Sequence, residues 1–94
     1  MNVRFLRSAK FEIDESYAYY ESKRVGLGKD FMDEVYYAVK RITDNPMAWS
    51  QLSQRTRRCL VNRFPFGIIY QIRDHEILVL AVAHLHRKPR YWNS

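Results

Sequence analysis

Seven consecutive apolar residues, Ile77 to Ala83 (ILVLAVA), constrain this chain more than any other stretch. The run is too short to cross a bilayer and has no polar alternation to turn toward water. It therefore predicts a strand hidden on both faces, in the middle of a sheet. Such a strand needs partners beside it and cover above it. Two further strand-like runs precede it, Arg58 to Phe64 and Ile68 to Arg73, with Pro65-Phe66-Gly67 as the turn between them. Asp74-His75 then leads into the final strand, Glu76 to His84; both residue types tolerate positive φ better than most, which suits a two-residue hairpin.

The first half of the chain supplies the cover. Ala9, Ile13, Tyr17 and Tyr20 recur at intervals of three to four and predict an amphipathic helix from an N-cap at Ser8 to about Arg24. Glu12, Asp14, Glu15 and Glu21 take its polar side, and acidic groups near the start with Lys23 and Arg24 near the end suit the helix dipole. Tyr17 and Tyr20 are expected in the core or between helices, not as a platform for bases. Val25 to Gly28 (VGLG) makes a tight corner, and its lone GxG follows no strand, so it is not a phosphate loop. Phe31, Val35, Ala38 and Ile42, widened by Val39, predict a second helix from Lys29 to Asp44, ended by Asn45-Pro46. Val3 to Leu6 (VRFL) reads as a short strand at the sheet edge, and Met47 to Thr56 as a loop without a clear period. The predicted fold is α+β in one domain: β-α-α-β-β-β, a helical hairpin packed on one face of a mostly antiparallel four-stranded sheet.

Charge is segregated along this plan. Residues 1–54 carry eight basic and eight acidic groups; residues 55–94 carry eight basic groups against Asp74 and Glu76 alone, so the net charge of +6 sits on the sheet half. Seven of those eight cations are arginines, whose planar donor fork suits phosphate or carboxylate, and an acidic partner is implied. The one cysteine, Cys59, falls in a predicted strand and reads as a small buried hydrophobe. No stretch is long enough for a membrane span, and MNVRFLRSAKFEID lacks the apolar centre and cleavage site of a secretory signal, so a cytoplasmic protein is expected, with no membrane partner.

The helix pair YYESKRVGLGKDFMDEVYYAVKRITDNP, the hairpin RFPFGIIYQI and the ending ILVLAVAHLHRKPRYW, in that order, resemble the RelE/ParE superfamily of bacterial type II toxins, and more its ParE-like (plasmid-stabilisation) branch. The likeness spans about residues 3–92. It implies a single toxin domain, a cognate antitoxin that wraps and neutralises it, and no cofactor. It also implies one of two targets: DNA gyrase for the ParE-like branch, or messenger RNA on the ribosome for RelE-like members.

The two targets make different demands on the residues. RNA cleavage through the 2′-hydroxyl needs a base, an acid and cations for the developing charge. His84, His86, Arg87, Tyr91 and Arg63 are the candidates, with Tyr70 as a further proton donor or base-stacking ring. RelE-like nucleases use lysine and arginine with a C-terminal tyrosine; lysine is scarce here, so only Tyr91 and the arginines match. Gyrase poisoning needs only a docking surface, for which Arg87, Lys88, Arg90, Tyr91 and Trp92 are the candidates. The favoured expectation is the gyrase poison, with the ribosome-dependent endonuclease as the alternative and a nucleic-acid-binding module without toxicity as a third. The bland readings stand beside these. His84 shares a predicted strand face with Leu78, Leu80 and Val82, Tyr70 shares one with Ile68 and Ile72, and both are then core residues. His84-x-His86 has no cysteine or carboxylate near it in sequence, so no metal is expected. Arg58, Arg63 and Arg73 are expected to meet an acidic antitoxin on a sheet face left only partly covered and basic, and the arginines to gather at a single rim.

Overall fold

The structure, a computed structural model, describes residues 1–86. Strand β1 (Asn2–Phe5) leads into helix α1 (Arg7–Lys23), helix α2 (Leu27–Asp44) and strands β2 (Ser50–Gln51), β3 (Arg57–Leu60), β4 (Phe66–Arg73) and β5 (Glu76–His84). They form one sheet in the order β1-β5-β4-β3-β2, antiparallel except where β1 runs parallel to β5. The apolar run thus lies inside the sheet, and VRFL at its edge. Among the described residues no helix is long and apolar enough to cross a membrane.

The sheet has five strands, one more than the pattern predicts. Ser50 and Gln51 are both exposed and carry no apolar alternation, so periodicity could not mark them as a strand. They pair with Arg58 and Arg57, and the chain then turns through Leu52 N–H to Thr56 O (2.9 Å). The β3–β4 turn also comes earlier than expected. Val61 and Phe64 are buried, but as turn residues folded over the core, with Arg63 at a φ of 70° between them. The Asp74-His75 hairpin has both residues at positive φ (50° and 64°), as its residue types predict.

The helices pack as a hairpin on one sheet face. Phe31, Val35, Ala38 and Ile42 of α2 are all buried, together with Ala9 and Ile13 of α1. α1 begins at Arg7 with Leu6 as its N-cap and no side-chain cap, because Leu6 N–H is already bound to Val79 O (3.0 Å) and the chain passes from the sheet into the helix without slack. Ser8 therefore lies inside the helix, and the first turn holds no acidic residue. Tyr17 is 40 % exposed and lies against Gly28, where an added Cβ would stand 2.9 Å from Tyr17 O and 3.0 Å from its ring. It packs between helices, while Tyr20 reaches the core. Glu21 caps α2 across the corner, accepting the N–H groups of Gly26 (3.0 Å) and Gly28 (2.9 Å) where the helix dipole favours an anion.

An irregularity in β5 decides which way its second half faces. Ile69 pairs with Ala81 but Tyr70 pairs with Val79, so Leu80 is an extra residue opposite no partner. The bulge flips the alternation: Ile77, Val79 and Val82 all join the core beneath the helices, while Leu80 packs with Ile69, Ala81 and Ala83 in a second cluster. His84 thus shares a face with Val82 but not with Leu78 and Leu80. The outer face is also better covered than expected, since Ile69, Ala81 and Ala83 are each at most 6 % exposed.

Candidate functional site

At the end of β5, aromatic packing positions the histidines. Tyr20, Phe31, Phe64 and Phe66 pack mostly edge to face at centroid distances of 4.8–6.2 Å, with Tyr20 and Phe31 tilted at 32°. The His84 ring meets Phe66 edge-on at 5.1 Å, and His86 lies 5.2 Å from His84. His86 N–H donates to His84 Nδ1 at 3.1 Å, which places the proton of neutral His84 on Nε2. His84 is only partly buried and opens into a cleft of about 530 Å³ between α1 and β5, which Glu12, Glu15, Tyr19 and Tyr20 also line. β1 pairs only as far as Val79, so beyond it the outer edge of β5 is unmatched by a strand; there Glu12 Oε1 accepts Val82 N–H at 2.9 Å. A histidine in this setting can pass a proton. Two carboxylates beside it disfavour a phosphate.

Two other nuclease candidates, Arg63 and Tyr70, are not gathered there. Arg63 turns to α2, pairing with Asp30 (3.5 Å) and Glu34 (3.7 Å) and lying over the Phe64 ring. Tyr70 is fully buried and donates its hydroxyl to Pro46 O at 2.6 Å. Burial pushes its pKa up to about 12, with Arg57 opposing and Cys59 adding a little, so it is a core residue and a poor proton donor. Cys59, 1 % exposed, has its thiol pushed up by burial as well. Arg87, Lys88, Arg90, Tyr91 and Trp92 lie outside the described residues.

The opposite end of the sheet is of another kind. A cleft of about 290 Å³ lies between the turn after β2 and the end of β4, and Arg55, Arg57, Arg73, Gln51, Gln54 and Gln71 contribute its polar lining. Among the described residues no carboxylate lines it. In the sequence, Arg55 and Arg57 register only as net charge, and Gln51 and Gln54 only as residues of a loop without a period. The available signal was the two-residue spacing of Gln71 and Arg73, which returns both side chains to one side of a strand; Arg55 lies in the turn before β3, and no local spacing brings it to them.

The three arginines expected to meet an antitoxin are spread over the molecule. Arg58 lies flat across Gly67, where an added Cβ would come within 2.8 Å of Arg58 Cδ, and its buried Nε has no partner. Arg63 is at the β3–β4 turn, and Arg73 is at the far end of β4, about 23 Å away by strand rise. The described arginines therefore do not share one rim.

Comparison with known proteins fits this fold. The family model for the ParE toxin of the type II toxin–antitoxin system, parDE, matches residues 3–89. No curated protein sequence matches the chain. Among solved structures, a chain of the chromosomal ParDE toxin–antitoxin system from P. aeruginosa is similar at a TM-score of 0.79 and 19% identity, over 92% of this chain and 97% of that one.

Proposed function

This chain belongs to the ParE toxin family of type II toxin–antitoxin systems, and from that premise we propose that it poisons DNA gyrase by binding and is held inactive by a small acidic antitoxin. The observation that carries the binding reading is the surroundings of His84. A metal-free ribonuclease needs cations where the phosphate charge develops. The described groups around His84 are instead His86, Glu12, Glu15, tyrosines and Phe66, with no described lysine or arginine among them, and Arg63 is turned away onto Asp30 and Glu34. Docking onto a protein makes no such demand. The charge balance supports the antitoxin: a chain with six excess positive charges attracts an acidic, initially disordered peptide, which would fold as it pairs with them.

Inducible expression of the chain tests the reading. The expected result is growth arrest with linearised chromosomal DNA, DNA-damage signalling and, with purified gyrase, trapped cleavage complexes, all reversed by co-expressing the cognate antitoxin. Ribosome-dependent cuts in transcripts with an intact chromosome would overturn it in favour of the endonuclease, and substituting His84, His86 and Tyr91 together would then abolish the cuts.

A further inference from the structure

We propose that the cleft among Arg55, Arg57 and Arg73 is a binding site for the phosphate groups of a nucleic-acid strand. It lies at the end of the sheet away from His84, goes beyond the gyrase reading and stands without it.

Availability of charge is the first argument. Five cations elsewhere on the described surface meet the chain's own carboxylates: Arg4 with Glu76, Arg24 with Asp30, Lys29 with Asp33, Lys40 with Asp44, Arg63 with Asp30 and Glu34. Lys10 and Lys23 have no such partner among the described residues, but they stand 13 residues apart on α1 and share no cleft. Among the described residues, no carboxylate pairs with Arg55, Arg57 or Arg73. Glu76, the cross-strand neighbour of Arg73, is taken by Arg4 instead. Three cations that line one cleft and have no ion-pair partner among the described residues raise the local potential for an anion.

Preorganisation is the second. Arg57 donates through one terminal nitrogen to Met47 O (3.0 Å) and Trp49 O (2.8 Å), which fixes the plane of its guanidinium without neutralising it. Arg55 rides on a turn closed by Leu52 N–H to Thr56 O and by the Ser53–Thr56 hydroxyl contact at 2.6 Å. Arg57 therefore loses little side-chain freedom in gripping the anion, and Arg55 little backbone freedom.

The companions of the arginines select among anions. Gln51, Gln54 and Gln71 each offer a donor and an acceptor. An acidic peptide's carboxylates can use only the donors, whereas sugar hydroxyls and base edges beside a phosphate use both. At about 290 Å³ the cleft is at the low end of ligand sites and takes one nucleotide unit of a strand, not a peptide helix. Its described lining has no aromatic ring, so it grips backbone without stacking bases and is indifferent to sequence.

Fluorescence anisotropy with labelled single-stranded DNA and RNA, titrated with the full chain over a series of salt concentrations, tests this. Each phosphate contact contributes about 0.7 to the slope of log affinity against log salt on a single strand, so Arg55→Gln with Arg73→Gln should lower the slope by about 1.4. Both side chains are exposed, and circular dichroism should show the fold retained. The control, Lys10→Gln with Lys23→Gln, removes the same charge from the exposed side of α1 and should leave the slope unchanged. A preference for DNA or RNA would name the source of the strand, and either supports the site. Equal losses in the two double variants would show diffuse attraction and overturn it. So would the absence of binding to either strand at low salt, or a polyglutamate peptide that competes fully and shows the same loss in the Arg55/Arg73 variant.

Discussion

At the β3–β4 turn Arg63 faces Asp30 and Glu34, and His84 opens onto Glu12 and Glu15; at the other end of the same strands Arg55, Arg57 and Arg73 share a cleft that no described carboxylate lines. Both ends belong to the basic half of the sequence, yet Arg63 at the first is answered by carboxylates, while Arg55, Arg57 and Arg73 at the second are not paired with any described carboxylate. Asp30 and Glu34 of α2 reach the β3–β4 turn, whereas no described helix carboxylate pairs with Arg55, Arg57 or Arg73. Net charge along a sequence locates a basic region; the fold decides which of its cations remain available. If so, the first end should answer to mutation through stability, and the second through binding.

The largest stability effect belongs to the aromatic cluster under the first end. Phe31 is fully buried against Tyr20, Phe64 and Phe66. Phe31→Ala should destabilise the fold by about 3–5 kcal/mol, read as a lower denaturant midpoint at unchanged slope. A loss under 1 kcal/mol would mean that packing does not hold this end.

Glu12 comes next. It receives the N–H of Val82, which is 1 % exposed and has no strand beyond it. Glu12→Ala should cost about 1.5–3 kcal/mol, the range for hydrogen bonds to charged groups, and Glu12→Gln should recover part of it, since the amide oxygen still accepts. Equal effects of the two substitutions would assign Glu12 a role other than accepting this N–H.

These two residues also show where the sequence was legible. Phe31 belongs to an apolar stripe at helical spacing, and Phe31, Val35, Ala38 and Ile42 are all buried, with Val39 half-buried beside them; likewise the run Ile77–Ala83 could only be an interior strand. Glu12 looked like one of four surface acids on α1, because its partner is 70 residues away and no local pattern encodes that contact. The bulge at Leu80 was invisible for a related reason. An uninterrupted apolar run has no alternation to break, so the flip that turns His84 to the helix side left no trace in residue types. Strand β2 was missed because two exposed polar residues at an edge have no period at all.

Tyr70 tests the boundary between the two ends, since its ring is core and Arg57, on the cleft side, is among the charges it feels. Its pKa is raised to about 12 from 10.0, so the fold favours the neutral hydroxyl. The resulting stability is complete below pH 10 and is lost as the pH rises through 10 toward 12. Tyr70→Phe, which removes the bond to Pro46 O, should cost about 0.5–1.5 kcal/mol at neutral pH, and the difference from wild type should shrink above pH 10. A constant difference up to pH 12 would mean that the hydroxyl does not titrate in the way its burial demands.

Arg63 gives the smallest effect and the sharpest contrast. It is exposed, and its contacts to Asp30 and Glu34 are 3.5 and 3.7 Å long, so solvent and salt screen them. Arg63→Gln should change stability by about 0–1 kcal/mol, less at 0.5 M salt than at 0.05 M. Because its charge is already answered by two carboxylates, the substitution should also leave the salt slope of nucleic-acid binding where it was, although it removes one positive charge from the basic half of the chain. A fall in that slope matching the contribution of Arg55 or Arg73 would mean that ion pairing within the fold does not withhold a cation from partners, and the distinction between the two ends would collapse.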